Sequence, residues 1–191
     1  MLAILIALCL SEDNIVGGWQ TIPVDHERVQ NVKQYLDRNM PHLFPEIANG
    51  GYVVASAKMQ IVSGYNLKLS IKANSSPLMF ELSLYINVQN KVALQGISRP
   101  VGSKPILGGY SWQNPSHFTA QDLAHTVSLI QRKVNLLLKS QGEVIVYRTK
   151  VEKGLKTHVV FRDTNKNIFS AVTIKDPNSN SEDLVTANQI F

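Results

Sequence analysis

The stretch Gln60-Ile61-Val62-Ser63-Gly64 joins an amide, two aliphatic side chains and a glycine where the apolar pattern turns back on itself. Such a set suits binding rather than bond breaking. The amide hydrogen-bonds, the aliphatic tip is desolvated on contact, and glycine permits a tight turn with positive φ. A glycine pair, Gly17-Gly18, stands 42 residues upstream of Gln60 and offers backbone that can approach another surface without a Cβ in the way. Groups for covalent chemistry are sparse. The five histidines, His26, His42, His117, His125 and His158, lack metal-ligand spacing and read as exposed or helix-surface groups. No phosphate-cradling glycine loop, Gly-x-Ser-x-Gly elbow or carboxylate pair at catalytic spacing occurs. The chain therefore reads as a non-enzyme without cofactor or metal. A triad assembled from distant positions stays open as the alternative.

The positioning elements must fit in 191 residues, which suits one large domain or two small ones. Residues 1–10 are nearly all apolar, too short for a bilayer span of about 20 residues. With Ala7 and Cys9 at the −3 and −1 positions of a cut before Leu10, residues 1–11 read as a signal peptide, or else as a buried N-terminal strand. Cleavage would remove Cys9, the single cysteine, leaving no disulfide and no thiol nucleophile. The expected location is secreted or in the secretory or lysosomal lumen, where Asn74-Ser75-Ser76 would be a glycosylation sequon. Residues 12–99 carry 8 basic against 7 acidic side chains and residues 100–191 carry 11 against 7. The net +5 therefore lies mostly in the second half. No Lys/Arg run is dense enough to suggest nucleic acid, and no segment suggests membrane association.

The chain repeats itself. Gly17-Gly18-Trp19 returns as Gly108-Gly109-Tyr110, each followed by a proline-containing polar stretch and then a helical period. The first helix is predicted from Asp25, as N-cap, to about Asn39, with Val29, Val32, Leu36 and Met40 as its stripe and Pro41 as its stop. The second runs from Ala120 to about Ser140, with Leu123, Val127, Ile130, Val134 and Leu137 as its stripe. Thr119 with Asp122 forms a capping box, and Gly142 lies just past the end. After each helix the period changes to two. Strands are predicted over 52–60, 65–73, 78–88 and 91–98, and again over 143–151, 155–163, 168–176 and 184–190. Each half is thus one long helix packed on a four- to five-stranded antiparallel sheet, an α+β architecture. The join from Arg99 to Pro105 has linker composition and is short, so the halves are expected to touch.

The order of glycine pair, helix and Gln-x-Val-x-Gly hairpin resembles the cystatin family. The resemblance in fold covers nearly all of residues 12–99 and 100–191, read as two tandem cystatin-like modules. The absence of disulfides is similar to the stefin branch. It implies a wedge that plugs the cleft of papain-like (cathepsin-type) cysteine proteases. Its contacts would be Gly17, Gly18, Gln60, Ile61, Val62, Ser63 and Gly64, with Gln89, Asn90 and Lys91 in a second loop. It also implies a monomer or a domain-swapped dimer. The Pro-Trp pair that many cystatins carry in the second loop is missing here. Trp19, beside the glycines, is read as packing against the helix. In the second module the hairpin reads Lys150-Val151-Glu152-Lys153-Gly154 and keeps only the glycine. Charges at a wedge tip must be desolvated on docking, so module two is read as non-inhibitory. The expected function is a reversible cysteine protease inhibitor. The alternatives are a non-inhibitory interaction or scaffold protein and a latexin-like metallocarboxypeptidase inhibitor.

Overall fold

The structure, a computed structural model, describes residues 17–99, 109–134, 138–179 and 181–190. The expected signal peptide, Cys9, Gly108, Leu137 and nearly all of the expected linker lie outside these residues. The fold is α+β, with two antiparallel five-stranded sheets and a few helices. The first sheet is a meander in the order β1 (Gln20–Ile22), β2 (Tyr52–Val62), β3 (Gly64–Ala73), β4 (Met79–Ile86) and β5 (Val92–Ser98). The second repeats it with β6 (Ser111–Gln113), β7 (Gly142–Val151), β8 (Leu155–Asp163), β9 (Ile168–Lys175) and β10 (Glu182–Ile190).

The first helix is not continuous. It consists of α1 (Glu27–Asn31), α2 (Lys33–Leu43) and α3 (Pro45–Ala48). The N-cap is His26, whose Nδ1 accepts from the Arg28 N–H, rather than Asp25. Pro41 does not stop α2 but sits inside it. Met40, Leu43 and Phe44 are all fully buried, and their burial offsets the missing N–H of Pro41. Pro45 ends the helix instead. It forces Phe44 into extended backbone (φ −136°, ψ 114°) and opens α3 at its first position. The expected stripe of Val29, Val32, Leu36 and Met40 is buried as a unit.

In the second half, α4 (Ala120–Val134) begins on the expected capping box. Thr119 Oγ accepts from the Asp122 N–H, and the Asp122 carboxylate accepts from the Thr119 N–H. The expected end near Ser140 is corrected, since Leu138 to Ser140 are not helical and Gly142 opens β7. The Gln131 side chain donates to Leu138 O at 2.8 Å, fastening the chain as it leaves the helix. Val134 of the expected stripe is exposed.

The layers run first sheet, helices α1–α3, second sheet, α4. In the first sheet, Leu67, Leu69 and Ile71 face the helices while Lys68 and Lys72 face solvent. The second sheet is covered on both faces. Val159, Phe161 and Phe169 pack with α4. The alternate residues Val146, Val160 and Ile168 belong to the core that contains α2 and the first sheet. Phe44 sits between the layers, its ring 4.1 Å from Phe80 in β4 and 6.2 Å from Trp112 in β6.

One polar network crosses this boundary. The Arg148 side chain of β7 is 0% exposed and donates through both terminal nitrogens to the Glu46 carboxylate of α3, at 2.9 and 3.1 Å. Its Nε donates to His158 Nδ1 at 3.1 Å. Because that ring nitrogen faces only guanidinium donors, it must accept, so the imidazole proton belongs on Nε2, 3.0 Å from Ser170 Oγ. The guanidinium also lies over the rings of Phe44, Tyr110 and Trp112 at 4.7, 4.7 and 5.5 Å. His158 is therefore not a surface histidine, as its type and spacing suggested, but a fully buried neutral one.

Removing one partner of such a pair strands a buried charge. Glu46→Gln is expected to lower unfolding stability by about 3–5 kcal/mol, read as a fall in the urea midpoint. The histidine adds a pH dependence. Burial first, and then the facing Arg148, push the His158 pKa well below 6.5, with a backbone hydrogen bond to Leu43 as a partial offset. Below pH 6.5 the unfolded chain therefore binds a proton that the folded chain refuses, and stability is lost as pH falls through that value. The urea midpoint should fall between about pH 7 and about pH 5, and His158→Gln should flatten that fall.

Candidate functional site

The register brings three separated segments to one edge of the first sheet. Gln20 pairs with Met59, which sets Gly17 to Trp19 beside the end of β2. Val62 pairs with Gly64, closing the β2–β3 hairpin around Ser63. Tyr65 pairs with Ile86 and Ile86 with Val92, so the β4–β5 loop stands next to that hairpin. The sequence-expected residues Gly17, Gly18, Gln60 to Gly64 and Gln89 to Lys91 thus share one end of the sheet.

The hairpin demands its glycine. Gly64 has φ +100°, and a Cβ there would lie 2.2 Å from Ile86 O. The amide of Gln60 is occupied on both sides. Its Nε2 donates to Gly17 O at 2.7 Å, and its Oε1 accepts from Asn66 Nδ2 at 2.9 Å. Gln60 therefore ties the N-terminal segment to the hairpin, while Asn66, directly opposite it in register, holds Gln60. Tyr85 OH donates to Ser63 O at 2.6 Å and clamps the tip to β4. In the second loop, Asn87 Oδ1 accepts from the Gln89 and Lys91 N–H groups, and Asn90 takes φ +59°. Asn66, Tyr85 and Asn87 were not singled out by sequence; their signal is position, opposite or beside the motif across a strand pair.

With the Gln60 amide consumed internally, the edge turns outward the aliphatic side chains Ile61, Val62 and Val88, at 51%, 42% and 70% exposure, beside exposed Ser63, Gln89, Asn90 and Lys91. Lys91 is the only charged side chain in the three segments. The hairpin tip is uncharged, largely aliphatic and braced, which suits burial in a cleft. Trp19 does not pack against the helices as expected. It lies on the solvent side of the sheet, with Lys68 Nζ 4.5 Å from its ring centroid.

The second half has the same edge with different chemistry. Gly154 takes φ +133° and Lys153 φ +51° in the β7–β8 hairpin. Lys150 and Lys156, opposite each other in register, both bind Glu152 Oε2, at 2.9 and 3.1 Å. Those hydrogen bonds hold the Glu152 carboxyl below its usual range. Elsewhere, Asn74 is exposed in the β3–β4 turn, at the opposite end of the first sheet from the three segments, where its Nδ2 donates to Gly50 O. Among the described residues no group of three or more His, Cys, Asp or Glu could hold a metal, and no helix is long and apolar enough to cross a membrane.

No protein-family model matches the chain, and no curated protein matches its sequence.

The tether and the turn are separable. Gly64→Ala should destabilise the fold by about 1–3 kcal/mol in urea unfolding, through strain and the clash with β4. Gln60→Ala should lower stability by only about 1 kcal/mol. It should nevertheless accelerate amide exchange in β1 and alter Trp19 fluorescence, because the N-terminal segment is released.

Proposed function

We propose that the protein is a secreted, reversible inhibitor of papain-like cysteine proteases, built as tandem cystatin-like modules over residues 12–99 and 100–191. Module one is the inhibitor. The observation that carries this reading is the braced edge on which the uncharged tip residues Ile61 and Val62 stand exposed between the Gly17 segment and the β4–β5 loop, which adds exposed Val88. A rigid edge loses little entropy on docking, and its aliphatic tip gains by leaving water. Binding needs no chemistry: the hairpin fills the cleft without offering a peptide bond in a productive pose. Module two, with three lysines and a glutamate in and beside its hairpin, would have to desolvate charge to do the same.

A second reading rests on a different observation. Between the halves lies a cleft of about 590 Å³, lined by Tyr35, Val92 and Leu94 on one side and Arg162, Ile168 and Ile190 on the other. A latexin-like inhibitor of a metallocarboxypeptidase would use that boundary rather than the hairpin. A scaffold role would use neither.

The test is inhibition of a papain-like protease and of a metallocarboxypeptidase by the full chain. Inhibition of the first at micromolar concentration is expected, and its absence overturns the proposal. Inhibition of the second alone favours the boundary reading. Val62→Asp should weaken thiol protease inhibition about 100-fold, roughly 2.7 kcal/mol, by carrying an unpaired carboxylate into the cleft. Gly64→Trp should weaken it similarly, and Glu152→Ala should leave it unchanged.

A further inference from the structure

The hairpin edge of the second half carries an apolar groove set among lysines. Val151 is 84% exposed and Leu155 42% exposed. With Pro177 they border a groove of about 620 Å³ between the β7–β8 hairpin and the β9–β10 loop. The groove is held open by backbone. Gly154 presses on β9, where a Cβ would lie 2.6 Å from Lys175 O, and Asp176 Oδ1 accepts from the Asn178 N–H to shape the loop. In the first half the residue that follows the hairpin glycine, Tyr65, is 2% exposed with Arg28 over its ring at 4.5 Å. The equivalent residue of the second half, Leu155 after Gly154, stays exposed.

Charge narrows the occupant. The one carboxylate at the hairpin, Glu152, is already shared by Lys150 and Lys156. Lys153 at the tip and Lys175 beside the groove are exposed and form no salt bridge among the described residues. Of the nearby carboxylates, Asp176 in the groove lining accepts from the Asn178 N–H, and Glu182, opposite Lys175 in register, is engaged by Thr173 and His125. Two free ammonium groups beside an aliphatic groove complement a ligand that carries carboxylates beside an aliphatic side chain. A simple polyanion would use the lysines and leave the groove empty.

We infer that this edge is a second docking surface, which takes an acidic peptide segment of a partner protein with its aliphatic side chain in the groove formed by Val151, Leu155 and Pro177. It is independent of the first edge, so the full chain can hold two partners of opposite character, one by a neutral apolar tip and one by charge beside an apolar groove.

The experiment uses the full chain and a labelled peptide with one leucine between pairs of glutamates, followed by fluorescence anisotropy. Saturable binding is expected. It should weaken about tenfold when the glutamates become glutamines, when the leucine becomes serine, or in the Lys153→Glu, Lys175→Glu double variant. Val151→Ser should weaken it severalfold. Lys58→Glu with Lys72→Glu, an equal charge change on the solvent face of the first sheet, should leave it unchanged. The urea midpoint verifies that each variant folds, and Lys153→Gln replaces the double variant if that one does not. No binding up to about 1 mM overturns the inference. So does binding indifferent to the leucine and to Val151, or a heparin fragment bound as tightly as the peptide, since charge alone would then suffice.

Discussion

A guanidinium shut away from water must find a carboxylate, and here the carboxylate comes from the other half of the chain. Arg148 belongs to the second sheet and Glu46 to the helical layer of the first half. Burial works against the charge on Arg148, and the Glu46 carboxylate restores it. The pair is geometrically demanding, with two terminal nitrogens on two carboxylate oxygens, an imidazole on the third nitrogen and aromatic rings against its faces. That geometry exists only when α3 lies against the back of β7. The arrangement of four layers therefore depends on it, and Phe44 fills the apolar space alongside.

The consequence for function is a division of labour between faces. Packing through the helical layer of the first half leaves the solvent side of its sheet and its hairpin edge uncovered. The proposed inhibitory edge is then rigid for local reasons: a glycine at φ +100°, where any Cβ would be strained and press on Ile86 O, an amide relay from Asn66 through Gln60 to Gly17, and a tyrosine clamp on the tip. The second half keeps the turn and changes the relay. Where Gln60 and Asn66 face each other, Lys150 and Lys156 do, and a glutamate between them makes that pairing tolerable. One fold plan thus presents two edges of different polarity.

Much of this was legible in the sequence. Strict alternation in Tyr65 to Ala73 marks a strand with one wet face, and β3 has one. The Thr119–Asp122 box and the motif at the hairpin tip also translated directly into geometry. What was missed came from tertiary burial. Pro41 and Pro45 are four residues apart, and only the burial of Leu43 and Phe44 decides which of them ends the helix. His158 reads as a surface group by its type, and nothing in the sequence singles out Arg148, which stands opposite it in register. The available signal was the loss of alternation in the neighbouring run His158-Val159-Val160-Phe161, all buried, which marks a strand covered on both faces. That cover is the first half: the short join led to the expectation that the halves touch, but not to the burial of His158 and Arg148 where they do.

The central claim is that the first hairpin edge is the surface that meets a protease. The most direct measurement is amide hydrogen exchange of the full chain with and without a papain-like protease whose catalytic thiol has been blocked. The account predicts slowed exchange at residues 17–18, 60–64 and 87–91, with residues 150–156 unchanged. Slowing confined to residues 150–156, or to the cleft around Arg162 and Ile168, would contradict it.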